Sequence, residues 1–213
     1  MEKTGRDLAR SLTVVNRFTV NGDIDVFERE FRAHCEFLRA RRGFDFLVAG
    51  QLVDTPNVFV HFSHWVTHQA FLRAVHSDGY LSEVHRLAPL VDAEADQAVS
   101  LGRLLEREAR TGAQAVVILH GLLRSGNQRD FEWRYHELAG HCAAYEGFGG
   151  GDVLRSTLTP NRYLAVLWWQ DSEVCDAALG EEGYRKRVRE LGAGAQVRTE
   201  RLRHVAYSPA LSR

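Results

Sequence analysis

The sequence predicts an α+β protein in which two ferredoxin-like β-α-β-β-α-β repeats form an intramolecular pseudo-dimeric α+β barrel. Three observations lead there. Displacing the chain by 104 residues, without a gap, sets Gly43-Phe44 on Gly147-Phe148, Thr55-Pro56-Asn57 on Thr159-Pro160-Asn161 and Trp65 on Trp169. Strand and helix patterns follow in the same order in each copy. The strands are apolar on both faces: Val58, Val60 and Phe62 alternate with Phe59 and Trp65, and Leu164, Val166 and Trp168 with Tyr163, Leu167 and Trp169. Such strands need cover on both sides, one from helices of their own repeat and the other from the second repeat's sheet.

The first element is a strand over Leu12 to Val20, rich in β-branched residues and closed by the Asn21-Gly22-Asp23 turn, which also caps the next helix. Phe27, Phe31, Cys35 and Leu38 recur at helical spacing among charged residues, and Gly43 reverses the chain. Strands over Phe44 to Leu52 and Val58 to Trp65 are joined by a turn at Asp54-Thr55-Pro56-Asn57. Thr67 to Val75 and Tyr80 to Leu87 read as short helices, and Ala93 to Leu104 as the last strand. The second copy gives Ala115 to Arg124, Phe131 to Tyr145, Val153 to Thr157, Tyr163 to Trp169, Tyr184 to Leu191 and Gln196 to Tyr207. The repeats therefore occupy residues 12–105 and 114–207, with the polar stretch Glu106 to Gly112 between them.

Composition narrows the function. The 213 residues are 45% hydrophobic and 26% charged, enough apolar content for a core. Lys and Arg number 27 against 28 Asp and Glu, so no basic field attracts nucleic acid or anionic lipid. The start, MEKTGRDLAR, has no apolar leader, and His120 and Gly121 break the longest apolar run, so no membrane span is expected. Cys35, Cys142 and Cys175 are isolated in helical patterns, which suggests neither disulfides nor a metal site and points to a reducing cytoplasm.

Polar residues on apolar strand faces are the candidates for chemistry. Asn16 interrupts the face formed by Leu12, Val14, Phe18 and Val20, and His61 shares a face with Ser63 and Trp65. His61, His64 and His68 do not form a metal triad, because His61 and His64 differ in strand parity. The nucleotide-loop fingerprints are missing, Gly149-Gly150-Gly151 opens no helix, and Ser125 has no nucleophile-elbow context.

The run Val-Val-Asn-Arg-Phe, the helix with Phe27 and Phe31, Gly43-Phe44, Phe62-Ser63-His64-Trp65 and Gly79-Tyr80 resemble the antibiotic-biosynthesis monooxygenase family of dimeric α+β barrels, in tandem form. The resemblance implies cofactor-free oxidation of an aromatic anthrone to a quinone, with molecular oxygen as co-substrate and no metal. It implies catalytic roles for Asn16 and Trp65, and places His61 where the family has an Asn four positions before the Trp. Phe18, Phe31, Phe59 and Tyr80 are the candidates for holding an aromatic substrate. His61 is the expected base, since imidazole titrates near neutrality, with Asn16 and Trp65 as donors to developing oxyanion charge. In the second repeat the same displacement gives His120, Ala165 and Trp169, so the first repeat is the expected active half and the second a degenerate one. Two alternatives stand beside this reading. One is a non-catalytic small-molecule-binding barrel. The other is a haem-degrading oxygenase, disfavoured because Ala74 stands at the Trp position and His85 lies one residue beyond the ligand position. The expected partner is a small aromatic substrate, and association of the pseudo-dimer into a further homodimer is left open.

Overall fold

The computed structural model describes residues 8–105 and 115–205; the connector from Glu106 to Gly112 and the predicted strand end at Tyr207 lie outside them. The first repeat runs β1 (Leu12–Val20), α1 (Ile24–Arg39), β2 (Phe44–Leu52), β3 (Val58–Trp65), α2 (His68–Val75), α3 (Asp78–Leu87) and β4 (Val91–Leu105). The second runs β5 (Ala115–Leu123), α4 (Gln128–Ala143), β6 (Phe148–Ser156), β7 (Arg162–Trp169), α5 (Ser172–Gly180), α6 (Glu182–Gly192) and β8 (Ala195–Val205). Side-chain caps start α1, α2, α4 and α5: Asp23 accepts from the backbone N–H of Asp25 and Val26, Thr67 from Ala70, Asn127 from Arg129 and Asp171 from Val174. The cap at Asp171 opens α5, a helix the second repeat's sequence pattern did not disclose.

The strands close into one barrel in the order β1-β3-β2-β8-β5-β7-β6-β4. Each repeat contributes four neighbouring strands, and the seams β2–β8 and β4–β6 join the two sheets edge to edge by antiparallel pairing. The expected facing sheets are thus also hydrogen-bonded at both borders, which removes every open edge. Three apolar layers follow from strand alternation. The lumen is filled from both repeats by Val60, Phe62, Ile118, Leu154, Val166 and Trp168, with no helix contributing. Outside it, α1 and its neighbours cover Phe18, Phe59, Leu12 and Trp65, and α4 to α6 cover Val117, Leu119, Ala165 and Trp169.

Two details depart from the sequence reading. Gly149, Gly150 and Gly151 lie inside β6, which begins earlier than expected, and a Cβ at Gly149 or Gly150 would meet the Trp168 indole at 2.6 Å. Gly150 also has φ +148°, so the glycines let a large lumen side chain lie against the strand. The displacement between repeats is also not gapless. Asn16 pairs with His61 in the β1–β3 ladder, whereas Leu119 pairs with Ala165 in β5–β7. The counterpart of Asn16 is therefore Leu119, and the turn before α4 is one residue longer than the turn before α1. A one-residue slip exchanges the two faces of a strand, so His120 points into the lumen and matches Arg17 instead.

Candidate functional site

On the helix-covered face of the first repeat, Asn16 and His61 stand directly opposite one another across β1 and β3. Cross-strand partners of this kind keep their Cβ atoms about 5 Å apart. Asn16 is half-buried; His61 is fully buried, and neither of its ring nitrogens has a hydrogen-bond partner. Phe31 of α1 presents its ring edge-on to His61 at 5.2 Å between centroids, and stacks on His34 at 6.2 Å. Phe18 lies 5.3 Å from Phe31, and Tyr80 of α3 lies 5.9 Å from His34. Asn16, His61, Phe18, Phe31 and Tyr80 are thereby gathered around one patch. Phe59 sits behind it, fully buried against Phe27 at 4.9 Å, as a core residue.

Trp65 lies two strand positions beyond Ser63 on the same face, in an adjoining cluster with Leu12, Val14, Leu38 and Ala70. Its indole N–H donates to Ser63 Oγ at 3.3 Å, a long bond, and its ring meets Phe44 and Phe71 edge-on.

His34 was not among the residues singled out from the sequence. It follows Phe31 by three and so belongs to the buried stripe of α1 with Phe27, Cys35 and Leu38, a spacing that could have shown it. Its Nδ1 is buried without a hydrogen-bond partner. Burial, reinforced by the Arg86 guanidinium, pushes the His34 imidazole down to about 4. Burial and the neighbouring His34 push His61 down to about 3. The expectation that His61 titrates near neutrality is overturned: low-dielectric surroundings disfavour the imidazolium, and both rings are neutral at pH 7. Each offers one N–H donor and one lone-pair acceptor.

Other chemistries find less support. Among the described residues no group of three or more His, Cys, Asp and Glu is arranged to hold a metal ion. His85 is exposed on α3 and Ala74 is buried in the Trp65 cluster, so the haem alternative gains no ligand pair. Burial raises the thiols of Cys142 to about 12 and Cys175 to about 11, far from a reactive thiolate.

The second repeat's helix-covered face is packed core. Leu119 and Ala165 replace the Asn16–His61 pair. A Cβ at Gly121 would collide with the Tyr135 hydroxyl and come within 2.9 Å of the Phe131 ring, so those two rings fill the space above the strand. Trp169 is fully buried there, and its indole N–H has no hydrogen-bond partner.

Comparison with known proteins bears on this arrangement. The sequence model of the antibiotic biosynthesis monooxygenase family matches residues 116–190, within the second repeat. Deoxynogalonate monooxygenase of Streptomyces nogalater is 34% identical over 86 residues, which cover 40% of this chain and 73% of that protein. A candidate monooxygenase of Fusobacterium nucleatum superposes with a TM-score of 0.77 at 10% identity, over 93% of this chain and 94% of its own. An anthrone oxidase-like protein superposes with a TM-score of 0.72 at 13% identity, over 92% of each chain. At these identities the structural likeness is one of fold. No helix among the described residues is long and apolar enough to cross a membrane.

Proposed function

The chain belongs to the antibiotic biosynthesis monooxygenase family, and from that premise we propose that its first repeat oxidises an anthrone-type aromatic polyketide to a quinone, using molecular oxygen and no flavin, haem or metal. One observation carries the choice of site: the Asn16–His61 pair, in which a fully buried imidazole has two unpartnered nitrogens beside an aromatic wall. Leaving such groups unpaired costs about 1–3 kcal/mol each, and a bound polar ligand would recover that cost. The family's sequence model matches the second repeat, yet that half has Leu119 and Ala165 where polar groups would be needed. The match to the family's sequence model and the polar pair thus fall in different halves.

The chemistry fits the residues. Triplet oxygen reacts slowly with closed-shell molecules, so a cofactor-free route needs a substrate whose anion readily gives up one electron. The ring methylene of an anthrone loses a proton to the neutral imidazole of His61, and the imidazolium that burial alone disfavours is held as an ion pair with the carbanion formed beside it. The carbanion passes one electron to oxygen, and the radical pair combines to a peroxide anion at that carbon, which takes back the proton held by His61. Loss of water then leaves the second carbonyl, with one oxygen atom retained and the other released in the water. Asn16 supplies an amide donor to the developing oxyanion, and the Trp65 indole N–H, held only by its long bond to Ser63, is available to a stronger acceptor. Phe18, Phe31 and Tyr80 bound the ring system.

The test is oxygen uptake by metal-stripped protein with a panel of anthrones and other acidic phenols. Quinone formation matching oxygen consumed one to one supports the reading. Turnover that appears only on adding a metal, flavin or haem overturns it.

A further inference from the structure

On the opposite face of the same β1–β3 ladder the barrel lumen opens into a cleft. Its floor is apolar, formed by Val15, Val60, Phe62, Ile118 and Leu164. Its mouth carries Arg17, Arg162, Arg198 and His120, drawn from both repeats, together with the exposed carboxylate of Glu94. Glu200 organises this mouth. Arg198 donates to its Oε1 at 2.7 Å, while Arg17 at 2.9 Å and His120 at 2.7 Å both donate to its Oε2. One buried carboxylate therefore fixes three donors and leaves Arg17 and Arg198 with further guanidinium N–H groups. On β4, Asp96 lines the same cleft. Its Oδ1 accepts from Ser156 and from the Gln97 backbone, whereas its buried Oδ2 has no hydrogen-bond partner and is ion-paired with Arg162 Nη1 at 3.6 Å.

We propose that this cleft is a second ligand site, distinct from the helix-covered face, and that it takes a small aromatic hydroxy-carboxylate. Each part of that ligand answers one feature of the cleft. The ring fits the floor of Phe62, Ile118 and Leu164. The carboxylate meets the planar donor forks of Arg162 and Arg198, the two most exposed of the three arginines. The hydroxyl donates to Asp96 Oδ2, a buried acceptor at the mouth with no hydrogen-bond donor of its own. The cleft exists only because the two repeats close one barrel, since its floor and rim come from strands of both. The assignment does not rest on the oxygenase reading, because β1 and β3 turn different side chains to the two faces: Val15, Arg17, Val60 and Phe62 here, Asn16 and His61 on the other side.

The experiment is calorimetric titration of the purified chain at pH 7 with 3-hydroxybenzoate, benzoate and phenol. Saturable binding of 3-hydroxybenzoate is expected, with benzoate and phenol each weaker by about tenfold for the group they lack. Arg162→Gln, a change at a half-exposed side chain, should weaken both acids about tenfold and leave phenol unchanged. Val15→Trp, at a half-buried lumen position, should abolish binding of all three, with a melting curve to show that the variant folds. If it does not fold, the Arg162→Gln contrast between acids and phenol decides the matter. His61→Leu, on the other face, should leave these affinities unaltered. No saturable heat with 3-hydroxybenzoate, phenol binding as tightly as the hydroxy-acid, or acid binding that survives Arg162→Gln but is lost in His61→Leu would each overturn the proposal.

Discussion

Asn16 and His61 face each other across the β1–β3 ladder, one half-buried and the other sealed from solvent with both ring nitrogens unpartnered. A group held in this way costs stability unless a ligand pairs it, so on the proposed function activity and stability should move in opposite directions when it is removed. His61→Leu is expected to raise the melting temperature, because an apolar side chain of comparable reach replaces unsatisfied nitrogens, and to lower oxygen-dependent turnover by about 10²-fold or more. His61→Asn, which restores hydrogen-bonding capacity but not an imidazole, should fall between Leu and the natural residue in turnover. Thermal melts and oxygen uptake on the same preparations check both halves of this expectation. A destabilised His61→Leu with full turnover would move the site elsewhere.

The two strand tryptophans should differ. Trp65→Phe removes an indole N–H that stands beside Ser63 on the face bearing His61, and turnover should drop by roughly 10- to 100-fold. Trp169→Phe removes an N–H with no partner from a packed core beside Phe148 and Tyr145, so it should cost about 1–3 kcal/mol of stability and little activity. Urea unfolding and steady-state rates of the two variants separate these outcomes. Equal losses of turnover at equal stability would mean that both halves work.

Much of the architecture was legible because it is written as periodicity. The bounds of β1, β2 and β3 follow from alternation and from the turns at Asn21-Gly22 and Pro56-Asn57, signals local to the chain. The seams β2–β8 and β4–β6 left no such mark, since pairing between distant edges depends on three-dimensional closure. His120 shows how a small error grows: one extra turn residue, invisible in a match dominated by later anchors, places the ring in the lumen beside Arg17. Asn16 and His61 were legible as polar interruptions of apolar faces. Their being opposite, and the depression of His61, depend on register and burial that only the fold supplies.

Gly121 tests the claim that the second repeat's outer face is filled. Its missing side chain makes room for the Tyr135 hydroxyl, which reaches the Leu119 carbonyl at 3.5 Å, and for the Phe131 ring. Gly121→Ala should destabilise by about 1–3 kcal/mol through overpacking, read as a lower urea midpoint at unchanged slope. Turnover of the folded fraction should stay the same, because the first repeat's face is not touched. A neutral Gly121→Ala would show a space there that the packing does not suggest.

The buried imidazoles set the acid response. In the unfolded chain His34 and His61 take up protons near pH 6.5, whereas in the native state they resist protonation down to about 4 and about 3. Between those limits the unfolded state binds more protons, so stability rises with pH and falls as the solution is acidified. The loss therefore begins as pH drops through about 6.5 and stops growing for each residue below its folded value, with a slope of up to about 1.4 kcal/mol per unit for each histidine. Glu200 extends the loss to lower pH. Burial alone would raise its carboxyl, but the His120 and Arg17 hydrogen bonds outweigh that and hold it at about 2, so its stabilising contribution disappears as pH falls from about 4.5 towards that value. Urea unfolding at intervals from pH 7.5 to pH 4.5 isolates the histidine part. The double variant His34→Leu, His61→Leu should flatten much of the dependence in that window, leaving the slope contributed by the buried His64, which burial and Arg103 hold down, and by His141, which burial and Arg187 lower. An unchanged slope in the double variant would mean that these two rings are already protonated, or are solvent-accessible, in the native protein.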